Sequence, residues 1–453
     1  MRSLVVIDGE HYPPVIEAAI KDLETRGFEI VGAVAAGRAE KLPTAGFPTV
    51  AGTEVRTGPD APLELDRALE EIDCDLVIDL SDEPVLDYRR RHALAAVALS
   101  KGVTYQGADF RFDPPPRPPV STRQTIAIGA TGKRTGKTAV AASLARHARN
   151  SGRHPVVVAM GRGGPPEPQL IRGDEIELSP RDLLELADQG KHAASDYIED
   201  ALLARVPTVG CHRCGGGLAG AVSYSNVVAG VELANQIDGD LTLLEGSGSA
   251  LPPVAADATV LVVPASVSVE YLAGYMGPYR LLLADCVLVT MCENPFGTPS
   301  QISTISSVVR DCLYTVRRAR GLDEPEVVRT VFRPAPTRSV EGADVYVATT
   351  APEAAGDSIT RHLQETQRCR VVGMTHALSD RSRLESDLAH IGGADVLLCE
   401  IKAAGIDVAT RRALEAGVDV VYMNNELHGV DEDDVRAAFD RVIALADARA
   451  ERQ

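Results

Sequence analysis

The chain has 453 residues and a mass of 48.0 kDa, too long for one hydrophobic core and enough for two or three domains. Its net charge of −18 excludes nucleic acid and anionic membrane surfaces as main partners, and no apolar run approaches the roughly 18 residues of a membrane span. The eight cysteines are scattered, several in apolar runs, as buried free thiols of a reducing compartment would be.

The apolar run at the start, Leu4-Val5-Val6-Ile7, ends at Asp8. At about four residues it falls short of the roughly 7–15 of a secretion signal, so a cytoplasmic protein is expected. Strands are predicted at 4–7, 30–35, 76–79 and 103–105, with helices at 14–26, 63–71 and 85–101. The alternation of short β-branched runs with amphipathic segments predicts an α/β fold around a mainly parallel sheet. Two of these strands end in polar clusters, Asp8-Gly9-Glu10-His11-Tyr12 and Asp79-Leu80-Ser81-Asp82-Glu83. Ligands of open α/β sheets sit at such strand ends, which makes Asp8, Glu10 and His11 candidate contacts; helix N-capping is the competing explanation. The run Asp113-Pro114-Pro115-Pro116-Arg117-Pro118-Pro119 forbids helix and favours an extended spacer. It divides an N-terminal Rossmann-like unit, 1–113, from the remainder of the chain, with a linker at 114–120.

The next unit, 121–340, opens on a predicted strand at 125–128. Further strands are expected at 156–159, 241–244, 259–263 and 287–290, and at 345–348 just past its end. A C-terminal region, 341–453, adds strands at 371–374, 396–399 and 418–422 and a terminal helix at 431–453; the residues leave open whether it continues the preceding sheet.

The segment Gly129-Ala130-Thr131-Gly132-Lys133-Arg134-Thr135-Gly136-Lys137-Thr138 lies between a strand and a helix start, the context that a phosphate-binding P-loop requires. Its glycines let backbone N–H groups face phosphate oxygens, and the helix dipole adds to them. Gly132, Arg134, Thr135, Gly136, Lys137 and Thr138 are the expected nucleotide contacts. Lys137 is assigned to the β/γ-phosphates of ATP and Thr138 to Mg²⁺. Thr131 stands where the strict pattern has glycine, so the loop is a variant, and Lys133 adds a second cation to it. A Mg²⁺ site needs a carboxylate. Glu245, leaving a strand in Glu245-Gly246-Ser247-Gly248, is one candidate, and Asp174, on a loop, is another. The Glu-Gly-small-Gly segment resembles that of dethiobiotin synthetase and related P-loop ligases (the SIMIBI type of core). Arg162 and Arg213 each sit on a glycine-rich loop suited to clamping a second anion. Cys211-His212-Arg213-Cys214 has zinc-like spacing but no second half-site.

Three stretches together resemble the cyclic 2,3-diphosphoglycerate synthetase family: Val6-Ile7-Asp8-Gly9-Glu10-His11-Tyr12-Pro13-Pro14-Val15, Gly132-Lys133-Arg134-Thr135-Gly136-Lys137-Thr138, and Arg213-Cys214-Gly215-Gly216-Gly217-Leu218-Ala219-Gly220. The resemblance spans nearly the whole chain. It implies ATP- and Mg²⁺-dependent closure of an intramolecular pyrophosphate in 2,3-diphosphoglycerate, releasing ADP and phosphate, with a compatible solute as product. On that basis Lys133, Lys137, Glu245 and Arg213 are the expected catalytic residues. Asp8, Glu10, His11, Arg162 and Arg213 are expected to bind the phosphorylated small-molecule substrate, and Thr138, Glu245 and Asp174 the metal. The N-terminal unit is expected to close as a lid, and a homodimer is expected from base rates. Two other outcomes fit a P-loop: a carboxylate-activating ligase, or a nucleotide switch without small-molecule chemistry.

Overall fold

The computed structural model describes residues 1–37, 49, 50, 52–190 and 195–452. It is an α/β structure built on two sheets. The first has seven strands, in the spatial order Thr49–Val50, Thr53–Arg56, Glu29–Ala35, Arg2–Ile7, Leu76–Asp79, Thr104–Gln106 and Arg111–Phe112. Its five central strands are parallel, and an antiparallel strand is added at each edge. Leu4, Val5, Val6 and Ile7 are all buried, as the unbroken apolar run of a strand covered on both faces requires. The chain leaves Arg2–Ile7 for a neighbour on one side and later returns to Leu76–Asp79 on the other. Asp8 and Asp79 therefore stand where the strand order reverses, the place where such sheets form a crevice.

The second sheet has thirteen strands. Twelve follow the order Gln169–Arg172, Pro207–Cys214, Pro155–Gly161, Leu241–Glu245, Gln124–Ala130, Ala258–Pro264, Cys286–Thr290, Glu326–Pro336, Asp419–Gly429, Val396–Glu400, Asp344–Ala348 and Arg370–Thr375. Tyr224–Ser225 pairs off the path with Pro207–Cys214. The C-terminal region thus continues the sheet that carries the P-loop. The join is Glu326–Pro336, an eleven-residue strand absent from the sequence expectations. Its first part pairs in parallel with Cys286–Thr290, and its remainder pairs antiparallel with Asp419–Gly429. Pro334 and Pro336 hid it, because proline cannot donate to a ladder and argues against a central strand.

The last helix, Val435–Ala450, folds back beneath the P-loop unit. Phe439, Val442, Ile443 and Ala446 share one apolar cluster with Ile126, Ile128 and Leu144. Arg449 Nη2 pairs with Asp285 at 2.8 Å, and His147 Nε2 meets Asp440 at 2.6 Å.

The N-terminal unit does not hang free on its linker. Leu94, Leu99 and Tyr105 belong to one buried cluster with Leu251, Met276, Tyr279, Leu282 and Val316 of the second unit. Helix Tyr88–Ser100 lies along helix Gly277–Leu283. No helix among the described residues is long and apolar enough to cross a membrane.

Candidate active site

The P-loop joins strand Gln124–Ala130 to helix Lys137–Asn150. Gly136 caps that helix at φ +88°, a left-handed conformation that glycine adopts without strain. A Cβ there would lie 2.1 Å from Phe332 Cζ, so the phenyl ring packs directly on the loop from the joining strand. The helix buries Ala139, Ala141, Ala142, Ala145 and Ala148. These small side chains let it approach the sheet closely, with its N-terminal N–H groups turned to the loop.

Strand Leu241–Glu245 neighbours the P-loop strand, with Glu245 in register with Ile128. The Glu245 side chain is fully buried. Its Oε1 accepts hydrogen bonds from Lys137 Nζ at 3.1 Å and Thr138 Oγ1 at 2.8 Å. Burial alone would depress the Lys137 ammonium. Glu245, Asp196 and Asp200 outweigh it and hold Lys137 charged, above the usual lysine range. Glu245 Oε2 has no hydrogen-bond partner, nor has either carboxyl oxygen of the fully buried Asp200. Burial, then the charge of Glu245, push Asp200 well above the usual carboxylate range. Orphaned buried carboxyl oxygens beside a threonine hydroxyl are the donor set that a hard cation takes. The site therefore fits Mg²⁺.

Helix Asp196–Ala204 supplies Asp196, Glu199 and Asp200 to this region. Burial raises Glu199 to about 7. Its Oε1 lies 3.3 Å from Lys402 Nζ, which reaches across from the C-terminal part of the sheet. Glu400, at the end of strand Val396–Glu400, is also buried, yet it accepts from Thr349 Oγ1 at 2.9 Å, from Thr350 N at 3.0 Å and Oγ1 at 2.7 Å, and from Asn425 Nδ2 at 3.2 Å. Lys402 and these donors outweigh burial and hold Glu400 below the usual carboxylate range.

These groups surround a cavity of about 850 Å³, large enough for a nucleotide and a second small molecule. The loop residues Gly132, Lys133, Arg134, Thr135, Gly136, Lys137 and Thr138 line its floor. Arg162, Ser247 and Gly248 line one side, Met291, Glu293, Asn294, Phe332 and Arg333 another. Thr349, Thr350, His376, Glu400, Lys402 and Asn425, all C-terminal, make the facing wall. Arg162 and Arg213 converge on the glycine turn: a Cβ on Gly248 would lie 2.5 Å from Arg162 Nη2 and 3.4 Å from Arg213 Nη2. Arg213 donates to the carbonyls of Gly215 and Ser247, each at 2.8 Å, while its buried Nε has no partner.

Not every sequence candidate comes to this place. Among the described residues the cavity lining comes from Gly132 onward, so Asp8, Glu10 and His11 stand apart from it. Asp8 is fully buried, caps the following turn through the N–H groups of Glu10 and His11, and holds His11 Nδ1 at 3.0 Å. Asp174 lies outside the cavity lining too: its carboxylate is paired with Arg172 at 2.7 Å, because Arg172 two residues back offers the nearest guanidinium. In the zinc-like segment Cys211 is buried and Cys214 exposed. Among the described residues, Asp8, His11 and Asp82 are the only group of three His, Cys, Asp or Glu side chains with ligand atoms within 4.8 Å of one another.

The sequence analysis missed the C-terminal wall and the acidic helix. Glu400 carries the same signal as Glu245, an acid at the carboxyl end of a buried strand. Glu199-Asp200 inside the apolar run Tyr197-Ile198-Glu199-Asp200-Ala201-Leu202-Leu203 is a second overlooked signal, since adjacent buried acids require a partner.

Three family descriptions match the chain. "Cyclic 2,3-diphosphoglycerate synthetase, N-terminal domain" matches residues 2–113, the P-loop domain of the same family 125–318, and its C-terminal domain 336–426. The cyclic 2,3-diphosphoglycerate synthetase of Methanothermobacter thermautotrophicus is 42% identical over 431 residues, covering 93% of this chain and 91% of its own. That of Rubrobacter xylanophilus is 44% identical over 432 residues, 94% of each. Among solved structures, LpxK from Aquifex aeolicus in complex with ATP aligns over 71% of this chain and 89% of its own, at 12% identity and a TM-score of 0.38, too low to carry an argument.

Proposed function

This chain belongs to the cyclic 2,3-diphosphoglycerate synthetase family, and we propose that it uses ATP to close an intramolecular pyrophosphate in 2,3-diphosphoglycerate, releasing ADP and phosphate. The observation that carries this reading is one cavity lined by a P-loop, with Lys137 and Thr138 on Glu245, and by Arg162 and Gly248, the glycine on which Arg213 also converges.

The substrate bears two phosphates and a carboxylate. One substrate phosphate oxygen attacks the γ-phosphorus of ATP, the bond to ADP breaks, and a mixed anhydride forms. An oxygen of the second phosphate then attacks the activated phosphate, inorganic phosphate leaves, and the ring closes. Both steps press anions together, so positive charge and positioning matter more than a base. The loop N–H groups and Lys137 hold the β- and γ-phosphates. Lys133 and Arg134, both exposed on the loop, reach the transferring group. Arg162 and Arg213 hold the acceptor on the Gly248 side. Thr138 and Glu245, with Asp200 behind them, would hold Mg²⁺, which would supply further neutralisation of the phosphate charge.

The anionic composition and free thiols suit a cytoplasmic enzyme. A two-fold dimer is the expected assembly, and light scattering measures it.

The test is phosphate release from Mg·ATP with and without 2,3-diphosphoglycerate, with ³¹P NMR of the product. Strong stimulation with new pyrophosphate-type resonances is expected. Turnover indifferent to that acid removes the reading and leaves a P-loop ligase or switch with another target.

A further inference from the structure

The chain has seven lysines; among the described residues Lys133, Lys137 and Lys402 line the cavity. The first two belong to the P-loop. Lys402 comes from the opposite wall, on the short link between strand Val396–Glu400 and the π-helix Gly405–Thr410.

That link has unusual backbone. Ala403 takes φ +49° without being glycine. Of the eight such residues among those described, three (Arg134, Met291 and Ala403) line this one cavity. Single π-helical turns and left-handed non-glycine residues gather at functional sites, where surrounding packing holds them against their strain. The backbone around Lys402 is therefore shaped for what its side chain does, and an ion pair alone does not need that shape.

Lys402 faces Glu199 and Glu400, but Glu400 is already satisfied by Thr349, Thr350 and Asn425. Its close ionic contact is Glu199, at 3.3 Å. Glu199 belongs to the helix whose Asp200 abuts Glu245, so Lys402 stands at the phosphate-transfer end of the cavity. ATP's own β- and γ-phosphates are served by the P-loop, and in-line transfer puts the acceptor on the far side of the γ-phosphorus from ADP.

We propose that Lys402 is an acceptor-binding residue, exchanging its contact with Glu199 for a phosphoryl oxygen of the incoming phosphorylated acid. Its flexible four-carbon stem and three rotatable donors permit the exchange. The acceptor is thereby held from two sides, by Arg162 and Arg213 on the Gly248 turn and by Lys402 on the C-terminal wall. This rests on the reading of the acceptor as a diphosphorylated acid.

The test is calorimetric titration of 2,3-diphosphoglycerate, and separately of inorganic pyrophosphate, into the full chain saturated with Mg·ADP. Wild type is compared with Lys402→Gln, Lys402→Arg and Glu199→Gln, each checked for cooperative unfolding. Loss of one charge-assisted contact is expected to weaken acceptor binding in Lys402→Gln by roughly tenfold or more. Lys402→Arg should recover most of it, Glu199→Gln should keep it, and Mg·ADP affinity should stay within about twofold. A purely structural ion pair would make Glu199→Gln behave like Lys402→Gln, and that result overturns the proposal. So does acceptor binding unchanged in Lys402→Gln, or a loss that falls on Mg·ADP. If Lys402→Gln does not fold, Lys402→Arg against Glu199→Gln still decides. Wild type that binds pyrophosphate in a Lys402-dependent way but ignores 2,3-diphosphoglycerate supports Lys402 and refutes the assigned acceptor. Wild type that binds neither anion overturns both.

Discussion

Glu245 does three things with one carboxylate. It fixes the Lys137 ammonium, orients the Thr138 hydroxyl, and leaves Oε2 open. Replacing it by glutamine keeps the shape and removes the charge that holds both partners in a buried place. Glu245→Gln is expected to lower kcat for acceptor-stimulated phosphate release by roughly 10²–10³, the size of losing one preorganised electrostatic contact, with folding retained. A kcat within fivefold of wild type in a steady-state assay would show that the carboxylate is dispensable. Glu199 makes a different claim, about pH. Its carboxyl sits at about 7 in the fold against 4.5 ordinarily, so the folded state holds more protons than the unfolded one between those values. The stability carried by that proton is complete below about 4.5 and lost as pH rises through about 7. Glu199→Gln removes this dependence, flattening stability between pH 5 and pH 8 by up to roughly 3 kcal/mol. Asp200 shifts in the same direction, so a residual slope stays. Denaturant unfolding at the two pH values reads the difference, and equal slopes in variant and wild type would exclude Glu199 as its source.

The loop works because an element from elsewhere in the chain completes it. Gly136 needs both its positive φ and its missing side chain, since Phe332 of the joining strand occupies the space. Gly136→Ala adds backbone strain of about 1 kcal/mol and drives the ring away from the loop. Nucleotide affinity, measured by titration with Mg·ADP, is expected to fall at least tenfold while the sheet persists; near-normal affinity would mean that the loop tolerates another seat. The need for glycine at this position was legible in the sequence, because phosphate chemistry dictates the local pattern. Glu245 was legible for the same reason, as an acid at a strand end leading into glycines. Phe332 was not: its strand contains two prolines, and it meets the loop only through a crossover of about 200 residues, beyond any local pattern. The C-terminal wall was hidden likewise. Glu400 looks like any strand-end acid until the sheet order brings Val396–Glu400 round to face the P-loop. The N-terminal strands were easier, since unbroken apolar runs such as Leu4-Val5-Val6-Ile7 declare themselves, but their polar ends pointed to a crevice separate from the nucleotide cavity.

Taken entire, the molecule is tied at both ends to its centre. The terminal helix packs Phe439 and Ile443 under the P-loop strand, and the N-terminal unit is seated by apolar contacts with Met276, Tyr279 and Leu282. A lid that swings as a body on its proline spacer would have to expose those side chains to water, at roughly 1.5–3 kcal/mol each. At the edge of this seat the buried Asp66 accepts from Arg320 Nε at 2.8 Å, with Lys101 Nζ a distant 3.7 Å away. Arg320 also donates to Ser100 Oγ at 2.9 Å, so one guanidinium crosses between the units. Arg320→Met leaves Asp66 buried with a poor partner, and breaking such a pair costs about 3–5 kcal/mol. That cost falls on the contact between the units, not on either core. Calorimetry of the variant should therefore show the N-terminal unit unfolding earlier, separated from a second transition close to that of wild type. A unit that opens freely during turnover predicts the opposite pattern, with both transitions unmoved and acceptor-stimulated turnover altered, because the seat would then hold little of the stability and much of the motion.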